Sequence, residues 1–477
     1  TEVIANASSI FGLKKTIDML DGMFAIGLFD NKKEQLSLLR DFAGIKPLHY
    51  GYNKNILIFA SQYNQVASHP VFKNESVNKE VLKLYLNQHF ISAPYGLLKN
   101  TFQLAPGEII HFNKGGHISK NKYWIFPKYL KPAINNSKDA EDIIMDSLNK
   151  SIKSELVSDV PVGSFLSGGV DSPLISSIAN EFYEETLTSI TIGSDSIKHD
   201  ESELANIYSR KIGINHISKI MKSSDALNIL DDLINSITEP FADISIIPTF
   251  LISKLSKDYF NVALSGDGGD ELFFGYERFG SLGKNSGIQD LPFLLKYLIY
   301  GTDKIISKNR NFNSNCLFGL SSEAHFHLHS RFNSSLIKRL FKDLESVNLP
   351  EDYRIFDYEN TNNNEKLYQY MRHSEFYGMM QKSLKKIDLA SMHHSLEVRL
   401  PLLKKEFINN SLLINPNLNF SFGEKNIFNG KKLLKSLLIK KIPEVPINMT
   451  KKGFSMPITN WLQNELLEPF TAVLMDK

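Results

Sequence analysis

Short apolar runs punctuated by turn residues fill the first quarter of the chain. "GMFAIGLFD", "QLSLLRD", "LHYGYN" and "NILIFAS" fall within residues 22–66 and read as antiparallel strands joined by tight loops. The opening "TEVIANASSIFGL" predicts a helix, and so do residues 79–89. "GEIIHFNKGGHISKNKYW" predicts a hairpin with Gly115-Gly116 at its tip. A polar stretch containing prolines, "IFPKYLKPAINNSKDAED", then breaks the pattern. Residues 1–125 are therefore expected to form a β-rich unit, with a linker over 126–137.

From residue 138 the periodicity changes. A long helix is predicted to reach Leu156, followed by "VPVGSFLS" as a strand, 171–184 as a helix, "LTSITIG" as a strand and 201–212 as a helix. A further helix over 225–237 leads to the strand "FNVALSG", and residues 283–415 are mostly helical and less regular. Strands alternating with helices predict an α/β unit over 138–477, with a parallel sheet covered on both faces. The 477 residues exceed what a single core accommodates, which agrees with two domains.

Composition changes this picture little. Charged residues make up 22% and the net charge is +2, so nucleic acid is not expected as a partner. The apolar runs are too short to predict a membrane span, and the first ten residues do not resemble a signal peptide. One cysteine, Cys316, leaves no disulfide framework, and a cytoplasmic setting is expected. Thr1 opens inside a helix pattern and "EPFTAVLMDK" carries no closing signal, so both ends are expected to be cut.

Two loops carry the candidate chemistry. In "FLSGGVDSPLISSIANEFY" a strand breaks at Ser167-Gly168-Gly169, and a helix starts at Asp171-Ser172-Pro173. Leu174, Ile175, Ile178, Ala179 and Phe182 share one face, which fixes the helix N-terminus beside the glycines. Free N–H groups, the helix dipole and bare glycine backbone suit a phosphate. The Gly-Lys-Ser/Thr of a Walker loop is missing; an acid, Asp171, stands there instead, which makes sense when Mg²⁺ lies between it and phosphate. "NVALSGDGGDELFFGYERF" repeats the theme, with Ser265-Gly266 after a strand and Asp267, Asp270 and Glu271 within five residues. Asp171 and Asp270 are expected to face one Mg²⁺ from two sides. The plainer alternatives are a helix cap for the first loop and a solvated acidic turn for the second.

These residues resemble a known family. "SFLSGGVDS" is similar to the pyrophosphate loop of N-type ATP pyrophosphatases, and "LSGDGGDELFFGY" to the glutamine-dependent asparagine synthetases. "DVPVG", "TEPFADISIIP", "SMHHSLEVRLPLL" and "TKKGFSMPITNWL" follow in that family's order, after "DGMFAIGLFD", "RDFAGIKPLHY" and "LAPGEIIHF". The resemblance implies an Ntn-hydrolase glutaminase remainder at the N-terminus and an ATP-dependent synthetase domain after it. The family's N-terminal cysteine, arginine and Asn-Gly motif are not in this sequence, so this chain by itself is expected to lack glutaminase activity.

The resemblance also implies roles. ATP would activate a carboxylate as an acyl-adenylate, and ammonia from glutamine would displace AMP. Ser167, Gly168, Gly169 and Ser172 would cradle pyrophosphate, with Lys451 stabilising it and Lys452 as the register alternative. Backbone at Leu166 and Ile192 would contact adenine, flanked by Ser265 and Gly266. Asp267 would serve the adenylate step and deprotonate ammonia. Three positions depart from the family pattern: Pro173, Leu389 and Lys404, the last two expected near the substrate side. Pro248, where some members place an arginine, also bears on the acceptor. L-Aspartate is the expected acceptor, with a hexuronic acid of surface polysaccharide as the alternative and a non-catalytic scaffold as a third reading. Partners are small molecules and, if the chain assembles, a second copy in a homodimer.

Overall fold

The computed structural model describes residues 1–53, 56–114, 116–196, 199–289, 291–306, 320–424, 427–446 and 456–475. Helices Glu2–Phe11 and Leu13–Met19 open the chain. Strands β1 (Ala25–Asp30), β2 (Gln35–Arg40), β3 (His49–Asn53), β4 (Ile56–Ala60), β5 (Thr101–Gln103), β6 (Glu108–Asn113) and β7 (Ile118–Lys122) follow. They form two antiparallel sheets, β1-β2-β6-β7 and β4-β3-β5. Leu38 and Ile110 point into a core shared with Tyr50, Leu48 and Leu104, while their neighbours Leu39 and Ile109 pack on Ile17 of the second helix. Alternate residues of β2 and β6 are thus buried on opposite faces, as a strand of period two requires. Gly116 turns the β6–β7 hairpin at φ +77°; Gly115 lies outside the described residues.

The second unit is built on five parallel strands: β8 (Val162–Phe165), β9 (Thr188–Ser194), β10 (Asn215–Met221), β11 (Val262–Leu264) and β12 (Glu397–Arg399). Their order is β10-β9-β8-β11-β12. Succession runs outward one way from β8 to β10 and restarts on its other side with β11. The sheet therefore reverses between β8 and β11, which are neighbours in register Val162↔Val262. Ligands of open parallel sheets bind at the carboxyl ends of strands at such a reversal.

Three local expectations are corrected. β5, β10 and β12 are not among the predicted strands, and the single helix over 225–237 is two, Ser223–Asn228 and Leu230–Ser236. Leu174, Ile175, Ile178 and Ala179 are buried as their spacing requires, but Phe182 is exposed at the helix end. The two units share a core: Phe126 stacks on Phe376 with ring centroids 4.2 Å apart, and Phe42, Phe90 and Phe126 belong to the same apolar cluster as the parallel sheet. Gln381 Nε2 donates to the Ala43 carbonyl at 2.8 Å, and Ala242 N–H to the His89 carbonyl at 2.9 Å. No helix among the described residues is long and apolar enough to cross a membrane.

Candidate active site

Both glycine-acid loops leave adjacent strands at the reversal and interlock. Leu166 continues β8 by donating its N–H to the Ile190 carbonyl, and its own carbonyl accepts from Thr191 Oγ1 at 2.6 Å. The chain then folds back on itself. Ser167 N–H donates to Ser172 Oγ at 2.9 Å, the two serine hydroxyls lie 3.0 Å apart, and Gly169 N–H donates to Ser167 Oγ at 3.1 Å. Helix Asp171–Phe182 starts from this knot. The second loop lies directly on it. A Cβ on Gly266 would stand 2.8 Å from Asp171 Cβ, and one on Gly269 would stand 2.6 Å from the Asp171 carboxyl carbon. Glycine is required at both positions by loop-on-loop contact. Gly268 adds a backbone requirement, at φ +97°.

A lysine that the sequence reading did not single out sits between the two acids. Lys431 Nζ is 2.5 Å from Asp171 Oδ2 and 2.6 Å from Asp270 Oδ1, and its side chain is buried. Its backbone is fixed to the second loop: Lys431 adopts φ +58° and donates its N–H to the Phe273 carbonyl at 2.9 Å. One helical turn on, Lys435 bonds Asn429 Oδ1. Burial, then the neighbouring Lys431 charge, push the Lys435 ammonium down to about 8.

Behind Asp270, Glu271 is buried and accepts from the Tyr276 hydroxyl at 2.6 Å. Burial, then Asp270, push its carboxyl up to about 7. The Arg278 guanidinium stacks 3.8 Å from the Tyr276 ring and forks onto Glu375, with Nη2–Oε2 at 2.5 Å and Nε bonding Oε1. His325 and His329 Nε2 each lie 2.9 Å from the same Glu375 Oε1. These three residues have the proximity of a metal site. Arg278, however, already forks onto both carboxylate oxygens and offsets their charge; burial keeps both imidazoles down, His329 to about 4, so the rings add no charge of their own. The cluster is a neutralised buried charge network that props up Tyr276.

One cavity of about 780 Å³ is lined by both loops, Glu271 and Tyr276, with Arg278, His325, His329 and Glu375 behind its wall. Leu166, Ser167, Gly169, Asp171, Ser172, Ile192, Ser265, Gly266, Asp267 and Asp270 all line it, as does Lys431. Gly168 does not; it turns back against Glu201 and Leu204. Asp267 accepts from Ser265 Oγ at 2.6 Å. Lys451 and Lys452 lie outside the described residues. The cavity also has a wall from Asp243, Ser245, Lys382 and Lys386. Lys382 Nζ is 3.4 Å from Asp243 Oδ2, and Lys386 Nζ donates to Ser245 Oγ at 3.2 Å. Burial alone would raise the Asp243 carboxyl; Lys382 and Lys386 outweigh it and hold it at about 2.

Leu389 and Lys404 do not line this cavity. Leu389 packs on the main core, and Lys404 Nζ bonds the Asp21 carbonyl at 3.0 Å and approaches Glu155 at 3.3 Å. Pro248 is buried in helix Ile246–Ser256 and does not line the cavity either. The signal for the missed lysines was present but weak. Lys382 and Lys386, four residues apart in helix Met379–His393, share one helical face, whereas Lys431 is the left-handed cap of helix Lys432–Lys441, in which Lys435 follows.

Residues 144–477 match the family model described as asparagine synthase. The chain belongs to this family. The asparagine synthase match contains both loops, Lys431 and the Lys382/Lys386 wall, and residues 1–124 match the model of a glutamine amidotransferase domain. The chain is 29% identical over 463 residues to asparagine synthetase [glutamine-hydrolyzing] 1 of Bacillus subtilis, covering 94% of this chain and 70% of that protein. It is 33% identical over 314 residues to putative asparagine synthetase [glutamine-hydrolyzing] 2 of Methanocaldococcus jannaschii, covering 65% of this chain and 60% of that one. A putative asparagine synthetase of Mycobacterium bovis is 24% identical over 462 residues, covering 95% and 70%. The asparagine synthase family makes this chain a ligase that uses ATP.

The donor set fits a divalent cation. The gap between Asp171 and Asp270 already holds one positive charge, the Lys431 ammonium, at ion-pair distance from both acids. Two carboxylates are the hard oxygen donors that Mg²⁺ prefers.

Proposed function

We propose that the chain activates a carboxylate with ATP and amidates it with glutamine-derived ammonia. L-Aspartate becomes L-asparagine through an acyl-adenylate, and AMP and pyrophosphate leave. The observation that carries this reading is one cavity with different chemistry on two walls. One holds the interlocked glycine loops with Lys431; another holds Asp243 with Lys382 and Lys386. An acid beside two lysines suits an amino acid bearing both charges, the acid facing its ammonium and the lysines its carboxylate.

The residues then take these roles. Ser167, Gly169 and Ser172 hold the departing pyrophosphate, with Gly168 shaping the loop behind them. Leu166 and Ile192 flank adenine, beside Ser265 and Gly266. Asp171 and Asp270 would hold Mg²⁺, which would supply charge neutralisation at the phosphates. Lys451 places its charge where it develops as the α–β bond breaks, so it acts more on the transition state than on bound ATP. Asp267 takes the proton of the attacking ammonia.

The test is an acceptor panel with ATP, MgCl₂ and an ammonium salt, reading AMP and the amide by mass spectrometry. Aspartate-dependent AMP release with asparagine as product supports the reading. AMP release with a hexuronic acid and none with aspartate would replace the acceptor. No AMP with any acceptor would sink the enzymatic reading altogether.

A further inference from the structure

The Lys431 ammonium stands where a divalent ion would bind. It is 2.5 Å and 2.6 Å from one oxygen of each acid, whereas Mg²⁺ needs its oxygens at about 2.0–2.1 Å. Both cations cannot share that gap: the site is buried, and like charges at contact distance repel strongly in a low dielectric. The lysine is not a stray surface group either. Its backbone is tied to Phe273 of the second loop, and its alkyl stem runs over Gly275, where a Cβ would stand 2.5 Å from Lys431 Cε. The backbone is anchored while the ammonium rides on a four-carbon stem, so the head group can swing without the loop moving.

We propose that Lys431 is a resident counter-ion that competes with the divalent metal for Asp171 and Asp270, so that metal enters together with the nucleotide. Without nucleotide, a metal arriving at the pair must displace the ammonium from both carboxylates at once. When a polyphosphate is present, its oxygens receive the displaced ammonium, and the carboxylates are released to the metal. Lys431 thereby couples two binding events and becomes a positioning residue for the phosphates. This inference rests on the proposed role of the two acids in holding the metal of an ATP-dependent reaction.

The experiment uses Mn²⁺ as the probe, titrated by electron paramagnetic resonance into purified protein without nucleotide. The parent should bind weakly, and Lys431→Met should bind more tightly by about tenfold or more, within the usual range for coupled sites. The gain should vanish in Lys431→Met/Asp171→Asn. Lys431→Met should bind a non-hydrolysable ATP analogue less tightly than the parent, measured by calorimetry. Equal Mn²⁺ affinity in parent and Lys431→Met would overturn the inference. So would tight Mn²⁺ binding by the nucleotide-free parent, which needs no variant to fold. The calorimetry separates the two ideas: a parent that binds no ATP analogue refutes the proposed function, while a parent that binds it with Mn²⁺ affinity indifferent to Lys431 refutes only the competition.

Discussion

Lys385 Nζ lies 2.6 Å from Glu239 Oε1, and both side chains are buried where the two units meet. Lys385 also donates to the Ile91 carbonyl at 2.9 Å, so one ammonium ties the β-rich unit to the parallel-sheet unit. His49 Nε2 stands 3.8 Å from the same Glu239 oxygen, but burial and then Lys385 hold its imidazole well below the ordinary range, so it is neutral. Lys385→Met takes the ammonium from the buried Glu239, while burial, the larger cause of the His49 depression, remains. Breaking such a pair costs about 3–5 kcal/mol, whereas neutralising both partners costs far less. Lys385→Met should lower the thermal midpoint by several degrees, and Lys385→Met/Glu239→Gln should recover most of the loss. Equal midpoints in the single and double variants would show that the pair carries no coupling.

Glu271 predicts a pH dependence of stability. Burial, then Asp270, raise its folded carboxyl to about 7 from an ordinary value of 4.5. The folded protein thus holds this proton more tightly than the unfolded chain. The resulting stabilisation is complete below about pH 4.5 and is lost as pH rises towards 7. Glu271→Gln removes the titration and keeps an acceptor for Tyr276. In metal-free and nucleotide-free buffer, the midpoint of the variant relative to the parent should rise between pH 5 and pH 7. A difference that stays constant with pH would place the titration elsewhere.

Asp171→Asn and Asp270→Asn should each cripple adenylate formation. Each keeps the side-chain volume and removes half of the carboxylate pair that Lys431 now bridges. A loss of several kcal/mol in transition-state stabilisation is the scale for a lost metal contact. ATP–pyrophosphate exchange with aspartate present is the assay. Exchange at the parental rate in either variant would reduce that acid to a structural residue.

Gly275→Ala should harm the site more than the fold. Its Cβ would overlap Asp270 Oδ1 and crowd Lys431 Cε. Gly275 is not among the glycines with positive φ, so no left-handed strain is added. The cost falls on the two side chains, and the ATP analogue should bind at least about tenfold more weakly, the scale of one lost charge-assisted contact. The thermal midpoint should move by a few degrees at most. Unchanged nucleotide affinity would mean that Asp270 and Lys431 shift without consequence.

How much was legible depends on the range of the interactions involved. The apolar strands of the antiparallel and parallel sheets, the helix at Asp171 and the two glycine-acid loops were readable because their causes are local: side-chain period, glycine backbone and an acid at a helix start. β10 escaped because its residues alternate poorly and most are exposed or half-exposed. β12 escaped because three residues, "EVR", carry no period; they are a strand only because β11 offers an edge. The break at Ile229 has no glycine or proline to announce it.

The sequence by itself determined that two bare, acid-edged turns follow two apolar strands, the pattern from which a phosphate-handling site is expected. The tertiary structure decided what stands between those acids. Asp171, Asp270 and Lys431 are 99 and 161 residues apart along the chain. Only the reversal of the sheet between β8 and β11, with the Lys431 backbone pinned to Phe273, brings the ammonium into their gap. The wall of Asp243, Lys382 and Lys386 arose in the same way. Electrostatic partners act through space, and no local pattern encodes which distant charge the fold will set beside a given one.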